Sequence, residues 1–195
     1  YNGVPSNDKD EIALEICCQL LSNSQKTGIL DKLQLDGDIM SVGASQNAMR
    51  DAGILMINAI PSFDANQNRW DSHKSVEKIV LSSLRQLQNG EFDEATLEAI
   101  KQNMIREYDL QMESNEMKAY ILASLFNTGA DPSDIVNFKE KVKAVTIDEV
   151  KAVAKKYFND NYLALNIQEA KNLDSKGQKL KKPDYKPIET KKGAK

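Results

Sequence analysis

Three side chains in this sequence are of types that hold metals or attack bonds: Cys17, Cys18 and the single histidine, His73. An imidazole and two thiolates would make a partial ligand set for zinc or another soft metal. The spacing works against that use. Adjacent residues on a helix point about 100° apart, so Cys17 and Cys18 neither pair nor chelate easily. Both are expected to be small buried apolar side chains, which leaves the redox compartment open. His73, in Ser72-His73-Lys74-Ser75, falls near an expected helix start and is expected at the surface. The run Asp8, Asp10, Glu11 could bind a cation, but acidic groups also suit a helix N-terminus, and that is the expectation here. Gly37, Gly43 and Gly53 follow no phosphate-loop pattern and fit turns or strands. No catalytic, metal or substrate-binding residue is assigned.

The elements that would position these groups follow from composition and periodicity. The chain has 195 residues, 41% hydrophobic and 28% charged, enough for one good-sized domain or two small ones with a real core. No apolar run is long enough to span a bilayer. Net charge is −3 and the pI about 5.4, which speaks against a nucleic-acid-binding surface. The charge is uneven. Residues 169–195 hold nine lysines against four acidic side chains, with Pro183 and Pro187 and no periodicity, and read as a basic linker. The opening Tyr1-Asn2-Gly3-Val4-Pro5 suggests excision from a longer protein, with its first strand truncated.

Val4 to Asn7 reads as the end of an extended segment, with Asn7 or Asp8 capping a helix. Ile12, Ala13, Ile16, Cys17, Leu20 and Leu21 then form one apolar helical stripe. A shorter helical piece carries Ile29, Leu30 and Leu33. Two short apolar runs, 39–44 and 54–60, flank a polar turn and read as an antiparallel hairpin. Residues 62–70 are polar and loop-like. Val76, Ile79, Val80, Leu84 and Leu87 make the next stripe, closed by Asn89-Gly90. Asp93 opens a helix bearing Leu97, Ile100, Met104, Ile105, Tyr108 and Met112. After a break at Ser114-Asn115, Ala119, Leu122, Ala123 and Phe126 continue the apolar face to Gly129. Asp131-Pro132 starts another helix. Thr146-Ile147-Asp148-Glu149 is a capping box before Val150, Val153, Ala154 and Tyr157. Tyr162 to Ile167 reads as a final strand. The fold class is α+β, an antiparallel sheet backed by several helices, with one domain over 1–168 and the linker over 169–195.

In this order of elements, Val145-Thr146-Ile147-Asp148-Glu149-Val150-Lys151-Ala152-Val153-Ala154-Lys155-Lys156-Tyr157-Phe158 before a last strand is the most telling stretch. Gly90-Glu91-Phe92-Asp93-Glu94-Ala95-Thr96-Leu97-Glu98-Ala99-Ile100-Lys101 adds to it. Over residues 1–168 the chain resembles the second, non-catalytic domain of the pitrilysin/insulinase family of zinc metallopeptidases. The resemblance implies a pitrilysin-like, mitochondrial-processing-peptidase-like metallohydrolase fold whose domains associate in pairs around an unfolded or small polypeptide. It places the zinc motif, H-x-x-E-H with a later glutamate, in the first domain of the parent protein. Such a site needs two imidazoles, a carboxylate ligand and a further glutamate to activate water, and one histidine cannot supply them. Active family members also carry an arginine and a tyrosine that hold substrate. In the comparable stretch here, Gln34 or a neighbour stands for the arginine and Met40 or a neighbour for the tyrosine.

The resemblance therefore implies a fragment with no cofactor of its own and with zinc in the parent's first domain. Its expected partners are the catalytic domain of the same chain or a homologous subunit, and a peptide or unfolded protein substrate. No nucleic acid and no membrane span are expected in this segment. The alternative is a metal-free interaction or assembly subunit of the same family. A periplasmic or cell-surface setting would follow from resemblance to bacterial members.

Overall fold

The computed structural model describes residues 1–6, 8–64, 69–70, 73–129 and 133–167. The chain divides into two units, Tyr1–Ala164 and Leu165–Lys195. Of the second unit only 165–167 are described; they form neither helix nor strand and are solvent-exposed. The expected basic linker, 169–195, lies outside the described residues.

The first unit is organised around α1, Glu11–Leu21. Seven of its eleven residues are buried, including Leu14, Ile16, Cys17, Leu20 and Leu21. A helix apolar on most of its circumference must be surrounded, and this one packs against elements on every side. Its start is not the cap that sequence favours. Asp10 occupies the capping position in a helical conformation and makes no side-chain cap; Asp8 accepts from the Asp10 N–H at 2.8 Å instead. Asn7 lies outside the described residues.

The sheet covers one flank of α1. β1 (Asn2–Gly3), β2 (Ile39–Ala48) and β3 (Gly53–Pro61) form an antiparallel sheet in the order β1-β3-β2. The β2–β3 hairpin is the one expected from the two apolar runs. Its register pairs Val42 with Ala59, Ala44 with Ile57 and Gln46 with Leu55 on the core face. The alternate residues Ile54, Met56 and Ile60 stand exposed on the other face. Between α1 and β2 runs the short helix α2, Ile29–Leu35.

Two sequence expectations around the sheet are corrected. Within 62–70, expected to be loop-like, β4 (Phe63–Asp64) and β5 (Arg69–Trp70) pair as a small antiparallel ladder. The segment Tyr162–Ile167 is not a strand. It alternates apolar residues correctly, but Leu163 and Ile167 are 88% and 92% exposed, and a strand forms only where a neighbouring strand accepts its main chain.

The remaining helices are α3 (His73–Asn89), α4 (Glu94–Glu113), α5 (Asn115–Thr128), α6 (Ser133–Ala144) and α7 (Ile147–Tyr157). Their boundaries have local causes. Asp93 and Thr146 cap α4 and α7 by accepting from Ala95 N–H and Glu149 N–H. Ser114 ends α4 and caps α5. Gly129 closes α5 at φ 73°, where a side chain would be strained. Asp131 and Pro132, expected to open α6, lie outside the described residues. Tyr108 stacks on Phe138 at 4.7 Å between ring centroids, and Lys139 pairs with Asp109, so α6 is pinned to α4.

The α5 face is opposite to the one expected. Met117, Ile121, Leu125 and Thr128 are its half-buried residues, whereas Leu122 and Phe126 point to solvent. The helix is apolar on two faces and contacts chiefly α4. Sequence alone offered no reason to choose the correct stripe.

The two ends of the first unit are joined through Asp10. Lys156 Nζ donates to Asp10 Oδ2 at 2.6 Å and Tyr157 OH donates to it at 2.8 Å, tying the start of α1 to the end of α7. Burial alone would raise the Asp10 pKa. The hydrogen bonds from Lys156 and Tyr157 outweigh burial and hold the carboxyl below its ordinary 3.8. A depressed carboxyl pKa contributes stability that is present above the unfolded value and lost as pH falls through the folded one. Asp10→Asn is therefore expected to be destabilising at neutral pH, with the gap from the parent chain closing below about pH 3.8. Urea midpoints measured between about pH 7 and 2 check this; a gap that stays constant would contradict it.

Candidate functional site

The residue types singled out as possible ligands do not assemble. Cys17 and Cys18 are buried in α1. Cys17 Sγ donates to the Val150 carbonyl at 3.6 Å, linking α1 to α7. Burial pushes the Cys17 thiol up to about 12. Cys18 is raised too, by burial and then by Glu15 and Cys17. A thiol held that far from ionisation is a poor nucleophile and a poor metal ligand. His73 opens α3 and is half-buried. Among the described residues, no group of three or more His, Cys, Asp or Glu side chains could hold a metal ion. With one histidine in the whole sequence and two thiols locked in the core, the residues present do not fit a catalytic zinc.

The other candidates are also occupied structurally. Asp8 bonds the turn before α1, and Asp10 the end of α7, as described above. Gln34 accepts from Lys26 Nζ at 3.1 Å, and Met40 is 56% exposed near the start of β2. Neither offers the charge or the phenol that would grip a peptide.

Two buried charged groups escaped the sequence reading. Asp31, fully buried in α2, accepts from Ser22 Oγ at 2.9 Å and from the N–H groups of Asn23 and Gly28 at 3.0 Å each. Lys26 Nζ approaches it at 3.5 Å. It closes the turn between α1 and α2. Lys101, 6% exposed, donates to Glu98 Oε1 at 2.8 Å and to the Val145 carbonyl at 2.9 Å. It borders a depression of about 290 Å³, lined also by Leu97, Glu98 and Thr146. A lysine four residues after Leu97 lies on the buried stripe of α4, and that offset was the available signal. The amine is paired and bonds α4 to the turn before α7.

What the surface offers is contact. Ile54, Met56 and Ile60 are about half exposed on the outer sheet face, and Tyr120, Leu122 and Phe126 are 69%, 52% and 84% exposed on α5.

The fold is α+β, a helix-backed antiparallel sheet, and Asp10, Asp31 and Lys101 are engaged in structural bonds within it. The comparisons agree. The sequence profile described as the peptidase M16 inactive domain matches residues 1–104. The chain belongs to that family, the inactive-domain branch of the pitrilysin/insulinase zinc metallopeptidases. No curated protein matches it significantly in sequence. Among solved structures it is similar to a protease from Helicobacter pylori, at TM-score 0.70 and 20% identity, covering 82% of this chain and 37% of that one. It is similar to the inactive peptidase domain of a provisionally assigned zinc protease from Bordetella parapertussis, at TM-score 0.67 and 15% identity, covering 82% and 84%. A peptidase M16 inactive domain from Pseudomonas fluorescens gives TM-score 0.67 and 16% identity, covering 81% and 36%. The chain thus spans about a third of the Helicobacter and Pseudomonas chains and most of the Bordetella domain.

Proposed function

We propose that this chain is a packing and enclosing domain of a zinc-dependent endopeptidase. It rests against a catalytic domain, in the same polypeptide or in a homologous subunit, and forms part of the wall around a peptide or unfolded substrate. The observation that carries the reading is the match to the inactive-domain family in a sequence with a single histidine. Zinc and its water-activating glutamate belong, on this reading, to the partner domain. The contribution of this chain is apolar contact area and exclusion of water and of folded proteins. The acidic balance of residues 1–168 favours neutral or basic peptides inside such a chamber.

The coding sequence on the 5′ side of Tyr1, and the genes beside it, test the reading. An intact H-x-x-E-H with a downstream glutamate in the partner domain is the expected result. A degraded motif with no intact copy in the same complex would overturn it and leave a metal-free assembly subunit.

A further inference from the structure

None of the 14 residues of α5 is buried, although the helix carries only two charged side chains, Glu116 and Lys118. A helix with apolar groups on more than one face belongs in an interior. One face of α5, with Met117, Ile121 and Leu125, is half-buried toward the rest of the unit. The other runs through Ala119, Leu122, Ala123 and Phe126, at i, i+3, i+4 and i+7, and all four are exposed. Tyr120 flanks this stripe, and Tyr120, Leu122 and Phe126 are each more than half exposed. An aromatic side chain carries about 150–250 Å² of surface, so these three leave roughly 450 Å² open to water, the size of the largest apolar patch on a typical monomer.

We propose that this face of α5 packs on the same face of a second copy of the chain, the two helices running antiparallel about a two-fold axis. Shape, charge and area favour a second copy over an unrelated partner. The centre of the stripe holds Asn115, Ala119, Leu122 and Phe126, with the alternating four- and three-residue spacing of a helix–helix seam. Reversed on itself about a point between Tyr120 and Ile121, the seam sets Ala119 against Leu122 of the other copy and Asn115 against its Phe126. Each layer then joins a shorter side chain to a longer one, and the two-fold makes every such contact twice. Residues 119–128 carry no charge, so the charged first turn of each copy meets an uncharged stretch of the other. Antiparallel helices also place the positive end of each beside the negative end of its neighbour. Two such faces bury roughly 1,000 Å² together, at the low end for a specific interface, so a pair that forms and separates at micromolar concentration is expected. The proposal needs no peptidase activity and no further domain, so it stands or falls separately from the proposed function.

The test is analytical ultracentrifugation of the 195-residue chain and of two charge variants, Ala119→Lys and Leu122→Glu. Between about 1 and 500 µM the parent chain is expected to pass from monomer to dimer. Each variant alone sets a charge in the seam against an apolar side chain and should weaken association at least about 10-fold. Mixed in equal amounts, the two variants bring the new lysine of one copy opposite the new glutamate of the other, while Leu122 still meets Ala119 in the second layer. The mixture should therefore associate at least about 10-fold more tightly than either variant alone. Both positions are exposed in the monomer, so circular dichroism of each variant should match the parent chain. Phe126→Ala replaces any variant that loses helicity and should weaken association in the same direction. A parent chain that stays monomeric to about 500 µM would overturn the proposal. Association untouched by the variants would do so too, by placing the contact on another surface. A mixture no tighter than its components would rule out the antiparallel seam.

Discussion

Asp31→Ala is expected to destabilise the first unit by about 3–5 kcal/mol, the cost of breaking a buried, fully hydrogen-bonded charge and leaving its partners behind. The carboxylate is wholly buried and serves Ser22 Oγ and the N–H groups of Asn23 and Gly28. Those two backbone donors are sequestered in the turn between α1 and α2, and alanine returns nothing to them. Asp31→Asn keeps one acceptor oxygen but turns an NH₂ toward groups that are themselves donors, so it should recover only part of the loss. Urea unfolding of the three proteins measures this. A loss below about 1 kcal/mol for alanine would mean that water satisfies the turn and that the carboxylate is not its organiser.

Gly53→Ala is the second large effect, expected to cost about 3 kcal/mol or more, at the upper end of overpacking losses. A Cβ at Gly53 would lie 2.0 Å from the Val4 carbonyl oxygen and 2.7 Å from its nitrogen. Both are backbone atoms and cannot swing aside. The segment carrying β1 would have to leave β3. Gly43 in β2 is the control, because a Cβ there meets nothing within 4 Å. Gly43→Ala should be neutral or slightly stabilising through the unfolded chain. Gly53→Ala should also expose the Leu55 amide, which donates to Tyr1, to fast hydrogen exchange. Equal stabilities for the two variants would contradict the close approach of the two strands.

These sites show which parts of the molecule were readable in advance. Thr146 before Val150 and Val153 was legible as a cap and a stripe because both signals are local, and α7 forms accordingly. The hairpin was legible because two apolar runs around a turn leave few other pairings. α5 was not, since a helix apolar on two faces does not say which neighbour it has; Leu122 and Phe126 turned outward and Ile121 and Leu125 inward. Tyr162–Ile167 had the alternation of a strand without a partner strand beside it. Asp31 and Lys101 look like ordinary surface charges in sequence. Their burial depends on acceptors and donors brought by other elements, including a carbonyl 44 residues away for Lys101. That the sequence carries no H-x-x-E-H motif needed no geometry, because it has a single histidine.

The central claim is that this chain takes part in peptide hydrolysis only by serving a catalytic domain. The direct measurement is cleavage of a quenched fluorescent, unstructured peptide by three samples: the 195-residue chain with added zinc, the isolated partner domain, and the two joined as the gene joins them or mixed as subunits. The account predicts no turnover by the chain alone, and in the joined form a chelator-sensitive activity well above that of the partner domain. Chelator-sensitive hydrolysis by the 195-residue chain, or full activity of the partner domain without it, would contradict the account.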